Sequence, residues 1–289
     1  MLSMGKILLP IDFQDTSKTV VHQAAVLARH FHSEIVMLHV VTPLSYSAGM
    51  PEGNYVPANL NDLLKELLRL AQKKLDQDLG PELDGLAVKR VLIEGDPAST
   101  IVRTAHDEKA NLIVMPTHGY GTFRRFLLGS VTAKVLHDSE CPIWTGAHLE
   151  EEPTREFAIR NILCAIDLSK HSQYTVQSAA QLAAQFDARL TLAHIAAEVD
   201  VYGPDGFDFG PAWKERLVSS ATQRIAKLQQ EMGTKAEVFI ESGDVPKLLN
   251  QAAKQTHGDV LVIGRPSHGR LRATGYGIIR ESRIPVLSV

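Results

Sequence analysis

Cysteine is nearly absent: Cys141 and Cys164 are the only two in 289 residues, and no metal-ligand spacing joins them. A disulfide framework and a zinc site are therefore excluded as organising principles, and a reducing, cytoplasmic setting is expected. No apolar run approaches the roughly eighteen residues that a membrane span needs, and the opening "MLSMGKILLPIDF" has no apolar core long enough for a secretory signal, so neither membrane insertion nor export is expected. Charge of one sign is lacking too. Thirty Lys and Arg against 33 Asp and Glu give a net charge of -3, which supplies no basic face for nucleic acid. No Ser-His-Asp order, Cys-His pair or carboxylate dyad is apparent, and no lysine sits in a phosphate loop, so no catalytic residue is assigned.

What the chain does contain is itself, twice. "KILLPIDFQDTS" (6–17) returns as "NILCAIDLSKHS" (161–172), and the offset of 155 carries on through Leu27 and Leu182, Ala28 and Ala183, Phe31 and Phe186, His39 and His194. Further along, "IEGDPASTIVRTAHDEKANLIVMP" answers "IESGDVPKLLNQAAKQTHGDVLVIG". The charged stretch "GAHLEEEPTREFA" between the copies reads as an exposed linker, giving domains at 1–147 and 159–289 joined by 148–158.

Within each copy two periods alternate. "KILLPID" is short and almost wholly apolar, as a strand buried on both faces must be, and "SKTVVHQAAVLARHF" then has helical spacing. "EIVMLHVV", an amphipathic helix in "NLNDLLKELLRLAQKKLDQDL", "AVKRVLIEG", a helix capped by the aspartate of "DPASTIV", "NLIVMP", a helix from about Ser130 and "CPIWT" complete the unit. Five strands alternating with four helices predict an α/β fold of two repeated doubly wound domains. Each is a parallel five-stranded sheet with ligands beyond the carboxyl ends of its strands.

The stretch with the most chemistry is "PTHGYGTFRRFLLGSVT" (116–132). It follows a strand ending at Met115; Gly119 and Gly121 let backbone N–H groups approach an anion, and Gly129 with Ser130 sets a helix amino terminus nearby. It is neither the Walker pattern nor the dinucleotide fingerprint. The plainer alternative is a glycine turn with Ser130 as an ordinary cap. Arg124 and Arg125 stand open between phosphate contact and a solvated loop, and His118 and His268 lie in loops within reach of a ligand. His39 and His194 take matching strand positions, which points to a repeated packing or hydrogen-bonding role. His30 and His32, near a helix end, favour a dipole role over a metal.

The residues "LLPIDFQDTS", "MLHVV", "GDPASTIV", "LIVMPTHGYGTFRRFLLGSVTAKVL" and "CPI" resemble the universal stress proteins of the tandem type, with two such domains in one chain. ATP-binding members carry G-x-x-G, nine residues, then G-S/T, a pattern that falls here on Pro116, Gly119, Gly129 and Ser130, with proline in place of the first glycine. The resemblance implies that Pro10 and Asp12 at the first strand end and Val40 after the second hold adenine and ribose. It likewise implies that Pro116, Thr117, His118, Gly119, Tyr120, Gly121 and Thr122, with Gly129, Ser130, Val131 and Thr132, face the phosphates. It further implies an ATP-binding regulatory protein of the stress response, with magnesium or manganese as the accompanying ion and no metal site built by the protein. The alternatives are a slow ATP hydrolase and a nucleotide-independent scaffold. By the same resemblance the last strands, "CPIWT" and "IPVLSV", are sheet edges. The two domains would then pair pseudo-symmetrically, the chain would form a homodimer and Trp144 would be shielded. In the second copy Gly264 meets the motif's first glycine, but no nine-residue spacer leads to Gly-Ser. That loop is shortened by several residues, and one nucleotide site per chain is expected.

Overall fold

The computed structural model describes residues 4–13, 15–42, 60–77, 80–117, 128–146, 157–196, 210–265, 271 and 273–289. The chain divides into two compact units, Ser3–Gly146 and Ala147–Val289. In the first, the described elements run β1 (Lys6–Pro10), α1 (Asp15–Phe31), β2 (Glu34–Val41), α2 (Leu60–Gln77), a short α3 (Gly80–Leu83), β3 (Val88–Glu94), α4 (Pro97–Asp107), β4 (Leu112–Met115), α5 (Ser130–Asp138) and β5 (Ile143–Thr145). In the second they run β6 (Asn161–Ala165), α6 (Ser172–Phe186), β7 (Arg189–Ala196), α7 (Gly210–Met232), β8 (Glu237–Ser242), α8 (Val245–Gln255), β9 (Val260–Ile263), α9 (Ala273–Glu281) and β10 (Val286–Ser288). No described helix is long and apolar enough to cross a membrane.

Each unit is a doubly wound parallel sheet. The order in the first is β3-β2-β1-β4-β5, with Leu8 of β1 opposite Val36 on one side and Ile113 on the other. The second repeats it as β8-β7-β6-β9-β10, with Leu163 of β6 opposite Thr191 and Leu261. Burial follows position in this order. Central β1 and β4 are covered on both faces by helices, so Ile7, Leu8, Leu9, Leu112, Ile113 and Val114 have no exposed surface. Terminal β3 and β8 are half exposed, which is why Lys89, Arg90 and Glu237 are tolerated in them. One buried polar pair is satisfied internally: the Trp144 indole N–H donates to Gln23 Oε1 at 2.8 Å.

The duplication extends to backbone conformation. Every described residue with positive φ belongs to a matched pair: Phe13 with Leu168, His32 with Asp187, Gly85 with Gly233, Gly95 with Gly243, and Lys109 with His257. Three of these pairs sit at or near helix ends. The amide following His32 bonds back to Ala28 O at 2.9 Å, that following Lys109 to Ala105 O at 2.8 Å and that following Asp187 to Ala183 O at 2.9 Å, which closes helices with orphan carbonyls satisfied. The helix starts match as well: Asp96 accepts from Ser99 N at 2.9 Å and Asp244 from Lys247 N at 3.0 Å. The Ser99 N–H bond, followed by the Ser99 hydroxyl, holds the Asp96 carboxyl below its usual range.

Lys109 adopts φ 53° on an exposed turn, a conformation that disfavours a Cβ and suits glycine. Lys109→Gly is expected to stabilise the chain by about 0.5–1 kcal/mol, the left-handed penalty removed less the extra unfolded-state entropy of glycine. A denaturation midpoint unchanged or lowered by that substitution would contradict the cap assignment.

Candidate functional site

In each sheet the chain winds outward from the first strand in one direction, then returns to wind in the other. The reversal leaves a crevice between the carboxyl ends of β1 and β4, where neither crossover helix covers the sheet. Pro10 is the buried last residue of β1, and Asp12 lies exposed two residues beyond it. Val40 is half-buried and falls inside β2, one residue before its end. Pro116 and Thr117 leave β4, the first half-buried and the second 2% exposed. Across the crevice from Asp12's strand stands the amino end of α5, with Gly129 as its cap residue, Ser130 exposed, Val131 half-buried and Thr132 buried. His118, Gly119, Tyr120, Gly121 and Thr122, with Arg124 and Arg125, lie outside the described residues, as does His268.

Two hydrogen bonds clamp the ends of the 116–129 connection together. Gly129 N–H donates to Thr117 O at 2.8 Å, and the Thr132 hydroxyl donates to Pro116 O at 2.9 Å. Proline at 116 removes a donor, but it is the carbonyl of that residue that the fold uses. With the carbonyls of 116 and 117 engaged, the start of α5 is fixed beside the end of β4. Its first intrahelical bond is Ala133 N–H to Gly129 O at 2.8 Å, so the N–H groups of Ser130, Val131 and Thr132 point off the helix end without an intrahelical acceptor. Gly129 carries no side chain to cap them. Such an end attracts anions through its N–H groups and the helix dipole.

Asp12 is placed from the other side. Ile11 N–H donates to Leu38 O at 2.9 Å, and Ile11 O accepts from His39 Nδ1 at 2.8 Å; a carbonyl can only accept, so Nδ1 carries the proton. The residue before Asp12 is thereby held at both its donor and its acceptor. Burial holds the imidazole below its ordinary pKa of 6.5, against the opposing pull of the Ile11 bond and the Asp12 charge and with help from Lys74. Next in the chain, Phe13 adopts φ 60°, costly for a bulky residue, and its ring lies 4.3 Å from the His39 ring with Lys74 Nζ 5.5 Å above it. Ile11, Phe13 and Lys74 escape sequence reading because an apolar residue, a left-handed φ and a lysine from a separate helix have no local signature.

The second unit repeats the pin and alters the rest. His194 Nδ1 donates to Ile166 O at 2.9 Å, Ile166 N–H to Ala193 O at 2.9 Å, and Leu168 takes φ 58°. Asp167, the counterpart of Asp12, accepts from Ser169 N at 2.9 Å and from the Ser172 hydroxyl at 3.1 Å. The connection from β9 to α9 covers 264–272, five residues shorter than 116–129. Gly275 serves packing: a Cβ there would come within 2.6 Å of Leu271 Cγ.

These features define a Rossmann-like α/β class with its ligand crevice at the switch point. Comparison with known proteins narrows it: the model of the Universal stress protein family matches residues 4–145 and again 158–289. The chain belongs to the universal stress protein family, in the tandem arrangement. It is 36% identical over 139 residues to a universal stress protein of Methanocaldococcus jannaschii, covering 48% of this chain and 79% of that protein. It is 26% identical over 276 residues to one of Mycolicibacterium smegmatis, covering 93% and 89% of the two chains. The crystal structure of a universal stress protein from Archaeoglobus fulgidus matches 99% of this chain and 96% of its own with a TM-score of 0.67 at 20% identity, a likeness of fold.

Because burial disfavours the His39 imidazolium, the folded chain binds fewer protons than the unfolded chain just below pH 6.5, so stability rises with pH through that window and is lost as pH falls. The melting temperature of the wild type is expected to fall more between about pH 7.5 and about pH 5 than that of His39→Gln, whose amide does not titrate. Equal pH slopes for the two proteins would contradict the buried, neutral histidine.

Proposed function

We propose that the chain is an ATP-binding regulatory protein of the stress response, with one nucleotide site in a domain spanning 1–147, a linker at 148–158 and a second domain at 159–289. The observation that carries this reading is the double clamp of Gly129 N–H on Thr117 O and Thr132 Oγ1 on Pro116 O. It sets a helix end with outward N–H groups at the same crevice as the exposed carboxylate of Asp12. Phosphates would meet the N–H groups of Ser130, Val131 and Thr132, with Thr117 at their floor, and the ribose hydroxyls would meet Asp12. Pro10 and Val40 would border the base. The segment from His118 to Thr122 would close over the phosphates, and any magnesium or manganese would be held chiefly through phosphate oxygens. Nucleotide occupancy then biases the conformation or partner affinity of the chain, as a homodimer in the cytoplasm. Cys141 and Cys164 are free, and burial pushes the Cys164 thiol up to about 12, which leaves it unreactive.

Two measurements test this. Protein purified without added nucleotide and then heated is expected to release an adenine nucleotide identifiable by chromatography. Gly129 has φ −60° and ψ 141°, which a β-branched residue adopts readily, so Gly129→Val crowds the helix end without straining the backbone. That variant is expected to lose about tenfold or more in ATP affinity by calorimetry, in keeping with weakened hydrogen bonds to a charged group, while its melting temperature stays near that of the wild type. Unchanged affinity would reject the site.

A further inference from the structure

The second unit contains a cavity of about 170 Å³ at the carboxyl ends of its strands. Ile195, Val245, Leu249, Ile263, Leu271 and Ile278 wall it, and exposed Thr274 stands at its mouth. Its origin lies in two differences between the copies. Ala165 of β6 is paired with Ala193 of β7 on one side and with Ile263 of β9 on the other, so the three side chains share one face of the sheet, and all three line the cavity. At the matched places, 155 residues earlier, the first unit has the pair Pro10 and Leu38, both buried. Two alanines thus stand where the first unit has larger side chains, and space is left at the end of the sheet.

The polar groups around the cavity are engaged within the protein. The Ser172 hydroxyl donates to Asp167 Oδ1 at 3.1 Å, the Thr175 hydroxyl to His171 O at 3.2 Å, and His171 N–H to Ser169 Oγ at 3.3 Å. Asp167 and Arg265, both in the lining, each interact within the protein already. Two helix starts that border the space are closed in the same way. Ser172 N–H donates to Ser169 O at 3.0 Å at the start of α6; at the start of α8, Asp244 accepts from Lys247 N at 3.0 Å and Pro246 has no N–H to offer. A charged ligand would give up its hydration here for partners already taken, whereas an apolar one exchanges water for apolar wall. A void near 150 Å³ with such walls is known to hold one benzene ring, which sets the size of the occupant.

We propose that the second unit binds an uncharged apolar molecule, a single ring or a short branched chain, seated against Ala165, Ala193 and Ile263. The site is independent of the nucleotide site in the first unit. It gives the chain a second input of a different chemical class.

The test uses the full chain with toluene as probe, benzoate as a charged molecule with the same ring and adenosine as competitor, followed by methyl NMR. Toluene is expected to saturate one site per chain and to shift the methyl signals of Ile195, Leu249 and Ile263. Benzoate is expected to bind there about tenfold or more weakly, the cost of stripping water from a charge. Adenosine is expected to leave those signals in place. Ala193→Leu restores the first unit's residue at the matched place and should abolish the toluene shifts in a folded chain; Ala165→Val, a smaller filling, should weaken toluene binding. If neither variant folds, the wild-type shifts, the toluene to benzoate ratio and the adenosine result decide alone. Absence of shifts at those methyls, benzoate binding as tightly as toluene, adenosine displacing toluene, or toluene binding unaltered in a folded Ala193→Leu would each overturn the proposal.

Discussion

The backbone of Ile11 is fastened at both of its polar atoms, the amide to Leu38 O and the carbonyl to the His39 imidazole. The β1 side of the crevice takes its position from that pin. A strand that has left its sheet ordinarily gains freedom at once, because its carbonyls and amides lose ladder partners. Here the first residue beyond β1 keeps two, so Asp12 follows at a fixed place and Phe13 is held in a left-handed conformation. The histidine does this through the proton on Nδ1, and burial, with the Phe13 ring 4.3 Å away, favours its neutral form. The same arrangement of Ile166, His194 and Leu168 in the second unit shows that the pin belongs to the duplicated frame and not to one ligand.

Against that common frame, the two units differ where the ligand would be met. In the first, a fourteen-residue connection (116–129) is tied at its base to the start of α5, leaving a helix end with outward N–H groups. In the second, nine residues (264–272) connect β9 to α9, and the space at the strand ends is an apolar cavity beside Ala165 and Ala193. A duplicated sheet costs little to retain, since its core is specified strand by strand. The loops at the carboxyl ends can diverge without touching that core. The chain thus has one scaffold and two chemically distinct crevices.

Much of this was legible from residues alone, for definable reasons. The apolar runs at 7–10 and 112–115 announce strands buried on both faces because no other element needs such short, uninterrupted apolarity. Asp96 before Pro97 marks a helix start through chemistry confined to four residues. The role of His39 was legible only as a repeated position, since its partner, Ile11, lies 28 residues away just beyond β1. The Pro116 and Thr117 clamp was not legible: the sequence shows a proline where a glycine is customary and says nothing of its carbonyl, which Thr132 uses from 16 residues downstream. The cavity of the second unit was equally hidden, because its walls come from three strands and three helices whose side chains converge only after folding.

The central claim is that the two crevices are unlike, with a nucleotide site in the first unit alone. Native mass spectrometry of the full chain titrated with ATP tests it directly, since each bound nucleotide adds a discrete mass. One ATP per chain at saturation, lost when the Gly129 cap is altered, is the predicted result. Two ATP per chain of comparable affinity would contradict it.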